Sequence, residues 1–139
     1  MSVFTELSEI KERIYLENGL AFACLGNMPI TIGHTLIIPI REVVKYEDLI
    51  QEEKEAIEEL RVLSMNKLKE VFGYTGFNFA WNDGKIAGQS VPHFHLHIVG
   101  RKEGDTGILE YEPRKFLYRP GAREDSPEEE LQAVCNLLK

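Results

Sequence analysis

Pro92-His93-Phe94-His95-Leu96-His97-Ile98 places three of the chain's four histidines at alternate positions. In a β-strand, successive side chains point to opposite faces. Read as a strand from Val91 to Val99, the segment sets His93, His95 and His97 in a row on one face. Phe94, Leu96 and Ile98 then go to the other face and anchor the strand in a core. A lone histidine on a strand is usually just tolerated. A row of adjacent imidazoles, competing for protons and hydrogen-bond partners, suits either metal ligation or proton and nucleophile chemistry.

Outward from this row, Asn82 to Ser90 reads as a glycine-containing loop and Gly76 to Trp81 as a strand, since Phe77, Phe79 and Trp81 alternate with Asn78 and Ala80. From Asp48 to Phe72 the period changes. Ile57, Leu60, Leu63, Ser64, Leu68 and Val71 recur at helical steps, which predicts one long amphipathic helix with Gly73 as its stop. Thr35-Leu36-Ile37-Ile38-Pro39 is a compact apolar run, a central strand ended by proline. Gly26 to Gly33 is a loop containing Pro29. Ile14 to Leu16 and Leu20 to Leu25 read as strands around Asn18-Gly19, a pair that favours a type I′ turn. Val3 to Arg13 reads as a short helix. After Arg101 the pattern is irregular to about Arg123. A terminal helix then opens with Ser126 as N-cap, Pro127 at its first position and Glu129 at the capping-box position. The fold class is α+β, a mostly antiparallel sheet with one long helix and short terminal helices, in a single domain over residues 1–139.

Hydrophobic residues make up 43% of the chain and charged residues 28%, which suits an ordinary core under a water-facing surface. No apolar run is long enough to span a bilayer. The start, Met1-Ser2-Val3-Phe4-Thr5-Glu6, has neither the basic residues nor the apolar run of a signal peptide, so a cytoplasmic location is expected. Cys24 and Cys135 lie far apart in apolar surroundings and read as buried reduced thiols; no CxxC pair supports a thiolate zinc site. A net charge of −7 opposes binding to a nucleic acid through a basic surface. It leaves room for a small phosphorylated ligand, held by backbone N–H groups, amides and histidines in a local pocket.

Two chemistries fit the row. As a metal site, His93 with His95 or His97 supplies two ligands and His34 a third. The nearest carboxylates, Asp83 and Glu103, lie outside the strand on either side. As a nucleophile, a neutral imidazole attacks phosphorus through one nitrogen while the other is held as a donor. Neighbouring rings then bind phosphoryl oxygens and pass protons. Gly84 and Gly88 permit close approach of backbone to a phosphate, and Asn82, Gln89 and Ser90 offer amides and a hydroxyl.

Gly88-Gln89-Ser90-Val91-Pro92-His93-Phe94-His95-Leu96-His97-Ile98-Val99 closely resembles the signature of the histidine-triad (HIT) superfamily. Gly33-His34-Thr35-Leu36-Ile37-Ile38-Pro39 resembles that family's Gly-His-x-Leu strand. Asn82-Asp83-Gly84 and Arg101-Lys102-Glu103-Gly104-Asp105 are similar to the flanks in the fragile-histidine-triad branch of dinucleoside polyphosphate hydrolases. The resemblance covers about Leu20 to Asp105.

The resemblance implies a nucleotide-binding hydrolase that cleaves at the α-phosphorus through a covalent nucleotidyl-histidine. By the same match, His95 is the nucleophile. His93 and His97 orient it and hold α-phosphate oxygens, and His34 buttresses the row. Ser90 binds phosphate or protonates the leaving group, while Gln89 and Asn82 contact phosphate oxygens. A histidine at position 97, where transferase branches carry glutamine, favours hydrolysis. The resemblance further implies a homodimer that uses the long helix and the Gly76 to Trp81 strand. It implies no protein-bound metal or other cofactor; any divalent cation comes with the substrate. Alternatives within the same triad are a nucleoside phosphoramidase and a nucleotide-binding sensor or adaptor with weak catalysis. Lys85 reads as a surface lysine or as a contact for outgoing phosphates, and Trp81 as core or interface. Phe22 and the Ile30 to Ile32 loop are expected to cradle the base. In one place the chain departs from the pattern. The family commonly has Asp or Asn three residues before the loop proline, where it meets the ribose. Here that residue is Gly26, and Asn27 beside it is the substitute.

Overall fold

The computed structural model describes residues 8–105 and 125–139. Within them, β1 (Ile14–Glu17), β2 (Ala21–Leu25), β3 (Thr35–Pro39), β4 (Gly76–Ala80) and β5 (Leu96–Arg101) form one antiparallel sheet. The strand order is β1-β2-β3-β5-β4, which puts β3 at the centre as its apolar run predicts. Three helices pack around it among the described residues: α1 (Ser8–Glu12), α2 (Gln51–Phe72) and α3 (Glu128–Leu138). The rest of the predicted Val3 to Arg13 helix, and most of the irregular stretch after Arg101, lie outside the described residues.

Alternation decides which face each residue serves. Ala21, Ala23, Leu25, Ile37, Leu96 and Ile98 share one core cluster with Ile57, Leu60 and Leu68 of α2 and Leu131 of α3. Phe22, Cys24, Leu36 and Ile38 point the other way and meet Ile10 of α1. Both cysteines are buried and unpaired with each other, and burial pushes the Cys24 thiol up to about 12.

The long helix starts later than its apolar pattern predicts. Tyr46–Asp48 form a 3₁₀ turn, and α2 begins at Gln51. Buried Glu53 reaches back to accept the Ile50 N–H at 3.0 Å and is clamped by Arg41 at 2.7 Å, which holds its carboxyl below the usual range. Gly73 ends the helix in the left-handed region at φ 72°. Ser64, not Leu63, faces the sheet: Ser64 is fully buried whereas Leu63 is 43% exposed.

Two local predictions are corrected. Gly19 does not occupy the left-handed region, so the β1–β2 connection is not a type I′ turn. Instead Asn18 Oδ1 accepts the N–H groups of Leu20 and Ala21 at 3.2 and 2.9 Å, and its amide donates to Ala56 O of α2 at 3.0 Å. The turn is tied to a helix and takes its shape from that tie. At α3, Pro127 is the N-cap, with an extended ψ of 142°, and no side chain caps it. Ser126 lies one residue before the cap, and its N–H donates to Asn27 O at 2.9 Å.

Gly33 brings the Gly26 to Gly33 loop against α2. Its φ is +84°, and an added Cβ would lie 2.7 Å from Leu68 Cδ2. Tyr15 donates to Thr35 Oγ1 at 2.7 Å, and that hydroxyl donates to Gly33 O at 2.8 Å. The residue before His34 is thus pinned from both sides.

Candidate active site

β5 begins at Leu96, so the predicted strand from Val91 is shorter than its alternation implies. The ladder with β3 runs from Thr35↔Ile98 to Ile37↔Leu96 and stops. Pro39 has no N–H to extend it. Instead Phe94 N–H donates to Val43 O at 2.6 Å and His93 N–H to Val91 O at 2.8 Å, and the chain leaves the sheet. His97 therefore stands in the ladder, opposite Leu36 and Ala80, while His93 and His95 precede it. Phe94, Leu96 and Ile98 enter the core as alternation requires.

The hydrogen bonds assign a proton to each ring. Ile30 N–H can only donate, and it meets His34 Nδ1 at 3.0 Å. His34 Nδ1 is therefore an acceptor and Nε2 carries the hydrogen. That Nε2 lies 2.9 Å from His97 Nδ1, so His97 accepts there and carries its own hydrogen on Nε2. A carbonyl can only accept, and His93 O lies 2.8 Å from His95 Nδ1. His95 thus donates through Nδ1 and, as a neutral ring, has its lone pair on Nε2. His93 Nε2 donates to Pro39 O at 2.8 Å. Burial holds the His93 ring below the ordinary histidine value, against the pull of that carbonyl.

His95 and His97 face a small cavity of about 80 Å³, walled also by Gly26, Asn27, Met28, His34, Leu36, Ser90 and Val91. His95 and His97 keep 7% exposure each, whereas His93 is fully enclosed and does not reach the cavity. The two cavity rings meet edge to face, with centroids 5.0 Å apart. The tautomers give one unprotonated nitrogen, His95 Nε2, and one N–H donor, His97 Nε2, on neighbouring rings that both line the cavity. That pairing suits attack on an electrophile whose oxygen needs a donor. Among the described residues no group of three or more His, Cys, Asp and Glu side chains forms a metal-binding cluster.

The other predicted site residues divide. Ser90 and Asn27 reach the cavity. His93 meets His95 through its carbonyl; its ring donates to Pro39 O and does not line the cavity. Gln89 is buried with both ends committed: its Oε1 accepts Gly84 N–H at 2.9 Å and its Nε2 donates to Val44 O at 3.0 Å. It staples the loop and is not turned to the cavity. Gly84 and Gly88 take left-handed φ values of 90° and 102° on either side of the Lys85–Ala87 3₁₀ turn, so they serve that turn's geometry. Lys85 is exposed and Asn82 half-buried, and neither lines the cavity. Phe22 is buried in the core cluster around Ile38, and Ile30 is nearly buried, so the predicted base cradle is not open there; Ile32 is 43% exposed. Trp81 stacks on Tyr46 with centroids 4.8 Å apart, at the surface between α2 and β4. Sequence reasoning missed the groups that set the ring protons, Ile30 N–H, Pro39 O and His93 O. They are backbone atoms, which carry no residue-type signal.

A family model described as HIT domain matches residues 7–104. An uncharacterized HIT-like protein of Mycoplasma genitalium is 42% identical over 92 residues, covering 66% of this chain and 65% of that relative, just under two thirds of its length. A bis(5′-adenosyl)-triphosphatase of Dictyostelium discoideum is 32% identical over 131 residues, covering 93% of this chain and 85% of the relative. Among solved structures, the diadenosine triphosphate hydrolase of Plasmodium falciparum superposes with a TM-score of 0.75 at 26% identity, covering 92% of this chain and 74% of that one. With its matched domain, its antiparallel sheet and its histidine arrangement, the chain belongs to the HIT family.

Proposed function

We propose that this protein is an enzyme that hydrolyses nucleoside phosphoanhydrides at the α-phosphorus, with dinucleoside polyphosphates as substrates and a covalent nucleotidyl-His95 as intermediate. The named relatives support the reaction class: they include bis(5′-adenosyl)-triphosphatases and a bis(5′-nucleosyl)-tetraphosphatase. The observation that carries the mechanism is the His93 O bond to His95 Nδ1, which leaves Nε2 as the unprotonated nitrogen of a ring that lines the cavity.

In this mechanism His95 Nε2 forms a bond to the α-phosphorus as the bridging P–O bond breaks. His97 Nε2–H donates to a phosphoryl oxygen, fixed as a donor by the chain from Ile30 N–H through His34. Ser90, exposed at the mouth, supplies a proton to the departing phosphate. Water then attacks the same phosphorus and gives its released proton back to Ser90 Oγ; the N–P bond breaks with its electron pair returning to Nε2, and a nucleoside monophosphate leaves. The cavity is smaller than the ~300 Å³ of a site for a whole drug-sized ligand, so it holds the phosphoryl group and the edge of its sugar. The same geometry serves a phosphoramidate, and turnover of an adenosine–lysine phosphoramidate against diadenosine triphosphate separates the two substrates. A sensor with weak catalysis would bind both and turn over neither.

Replacing His95 with Asn should lower kcat by about a thousandfold or more while leaving nucleotide affinity within a few fold. Retained turnover would overturn the role given to His95.

A cytoplasmic homodimer is part of the same reading. β4 is an edge strand, and beside it Phe79 and Trp81 are 39% and 43% exposed over a groove against α2 of about 290 Å³. Among the described residues no helix is long and apolar enough to cross a membrane. Phe79→Glu should convert a dimer to a monomer in sedimentation equilibrium; a wild-type protein that is monomeric at all concentrations would end this part of the proposal.

A further inference from the structure

The tautomer of His97 depends on Ile30 N–H, and so on the turn from Ile30 to Gly33 that carries it. The turn is closed by His34 N–H, which donates to Thr31 O at 3.1 Å. It is braced from outside by Tyr74, which lies between α2 and β4. Tyr74 Oη donates to Ile32 O at 2.6 Å, at the middle of the turn. The residue is buried, and burial pushes its phenol up, so the hydroxyl keeps its proton at neutral pH. The same ring lies on Gly100 of β5, where an added Cβ would collide with it. Thr31 Oγ1 donates to Gly100 O at 2.9 Å, a second tie between the same two segments. Gly100 follows His97 on β5 by three residues. One side chain thus touches both the strand that holds His97 and the turn that sets its proton.

We propose that Tyr74 is a positioning residue for the hydrolysis: its bond to Ile32 O holds Ile30 N–H on His34, and through His34 it keeps His97 as an Nε2–H donor. The inference rests on the donor role given to His97 above. The tautomer of a neutral imidazole is set by the bonds at its nitrogens. His34 Nδ1 meets a backbone N–H, which can only donate. Without that N–H, the His34–His97 bond runs equally well in either direction. The reversed direction puts the hydrogen on His97 Nδ1 and leaves a lone pair on its Nε2. A phosphoryl oxygen only accepts, so the reversed ring repels it. Ile30 N–H is held in place by the backbone around it, and Tyr74 and Thr31 tie that backbone to β5.

The test removes one oxygen. Tyr74→Phe keeps the ring on Gly100 and loses the bond to Ile32 O. Its kcat for diadenosine triphosphate should fall about fivefold with KM within about twofold of wild type, the scale of one lost hydrogen bond. In a His34→Phe background the same change should leave kcat within about 1.5-fold, because the relay it serves is already cut. A merely structural role would lower kcat by the same factor in both backgrounds, and that result would overturn the proposal. Nitrogen-15 NMR of the free protein, above the pH range in which histidine takes up a proton, reads the tautomer without substrate. His97 should carry its hydrogen on Nε2 in the wild type and divide it between Nε2 and Nδ1 in Tyr74→Phe. An unchanged His97 in that variant would overturn the proposal. Thr31→Val cuts the parallel tie and should show the same pattern in both measurements, so it decides the question if Tyr74→Phe does not fold. A wild type without nucleotide turnover would sink the hydrolase reading, while the tautomer measurement would still decide the role of Tyr74.

Discussion

His97 stands in the β3–β5–β4 ladder, opposite Leu36 and Ala80, whereas His93 and His95 precede β5 in backbone that the ladder does not reach. The first ring is placed by sheet register and its proton by a second ring, His34. The others are placed by local carbonyls, Pro39 O and His93 O. Under the proposed mechanism the difference divides labour. A donor to a phosphoryl oxygen has to sit at a fixed point, and a ladder supplies that. A nucleophile has to keep one nitrogen unprotonated, and a carbonyl two residues back supplies that at no cost in side chains.

Beyond the nucleophile itself, breaking the ladder half should have the largest effect. His34→Phe fills the ring's volume but removes the donor to His97 Nδ1 and the acceptor for Ile30 N–H. His97 is then no longer held as an Nε2–H donor. Loss of a positioned donor predicts a fall in kcat of about a hundredfold, and the unpaired groups about 1–3 kcal/mol of stability. Steady-state kinetics with thermal unfolding checks both; a kcat within threefold of wild type would mean that the relay does not matter.

The irregular half is loosened more gently at its lead-in. Gln89→Leu cuts the staple between Gly84 N–H and Val44 O. Because the amide does not reach the cavity, KM should rise about fivefold with kcat unchanged, the scale of one lost hydrogen bond. A large drop in kcat instead would place that amide on the phosphate after all.

The smallest effect sharpens the role of His93. Its ring is held neutral by burial, with its value below the ordinary one. The unfolded chain takes up a proton near pH ~6.5, and the folded chain resists it until a lower pH. Stability from this group is therefore complete above ~6.5 and declines as pH falls below it. Tm should drop by a few degrees between about pH 7.5 and about pH 5, and the slope should be shallower in His93→Gln. Parallel Tm–pH curves for the two proteins would assign the drop to other groups.

Much of this was legible in the residues. β3 is central because Leu36 to Pro39 is an apolar run, and every residue from Thr35 to Pro39 is buried. α2 ends at Gly73 because only glycine takes that backbone at no cost. Tertiary partners took over where prediction failed. Alternation continues upstream of Leu96, but pairing stops where Pro39 cannot donate. Asn18-Gly19 suits a hairpin turn in isolation, yet the Asn18 side chain finds Ala56 of α2. Leu63 fits the helical stripe by type, but Ser64 lies nearer the centre of the buried face and Leu63 is left outside. At the site, the alternation and loop pattern bring His95, His97, Ser90 and Asn27 to one cavity, while Gln89 is bonded to Gly84 and Val44 and does not line it, a commitment to backbone partners that residue type does not signal. Tyr74 carried no signal at all, being 42 residues from Ile32.

The covalent step can be read from the stereochemistry at phosphorus. A substrate made chiral at the α-phosphorus by sulfur and oxygen isotopes, turned over in labelled water, keeps its configuration if His95 Nε2 and then water each displace in line. Retention is the predicted result. Inversion would mean that water attacks the substrate directly, with His95 acting only as a base, and would contradict the mechanism built on that nitrogen.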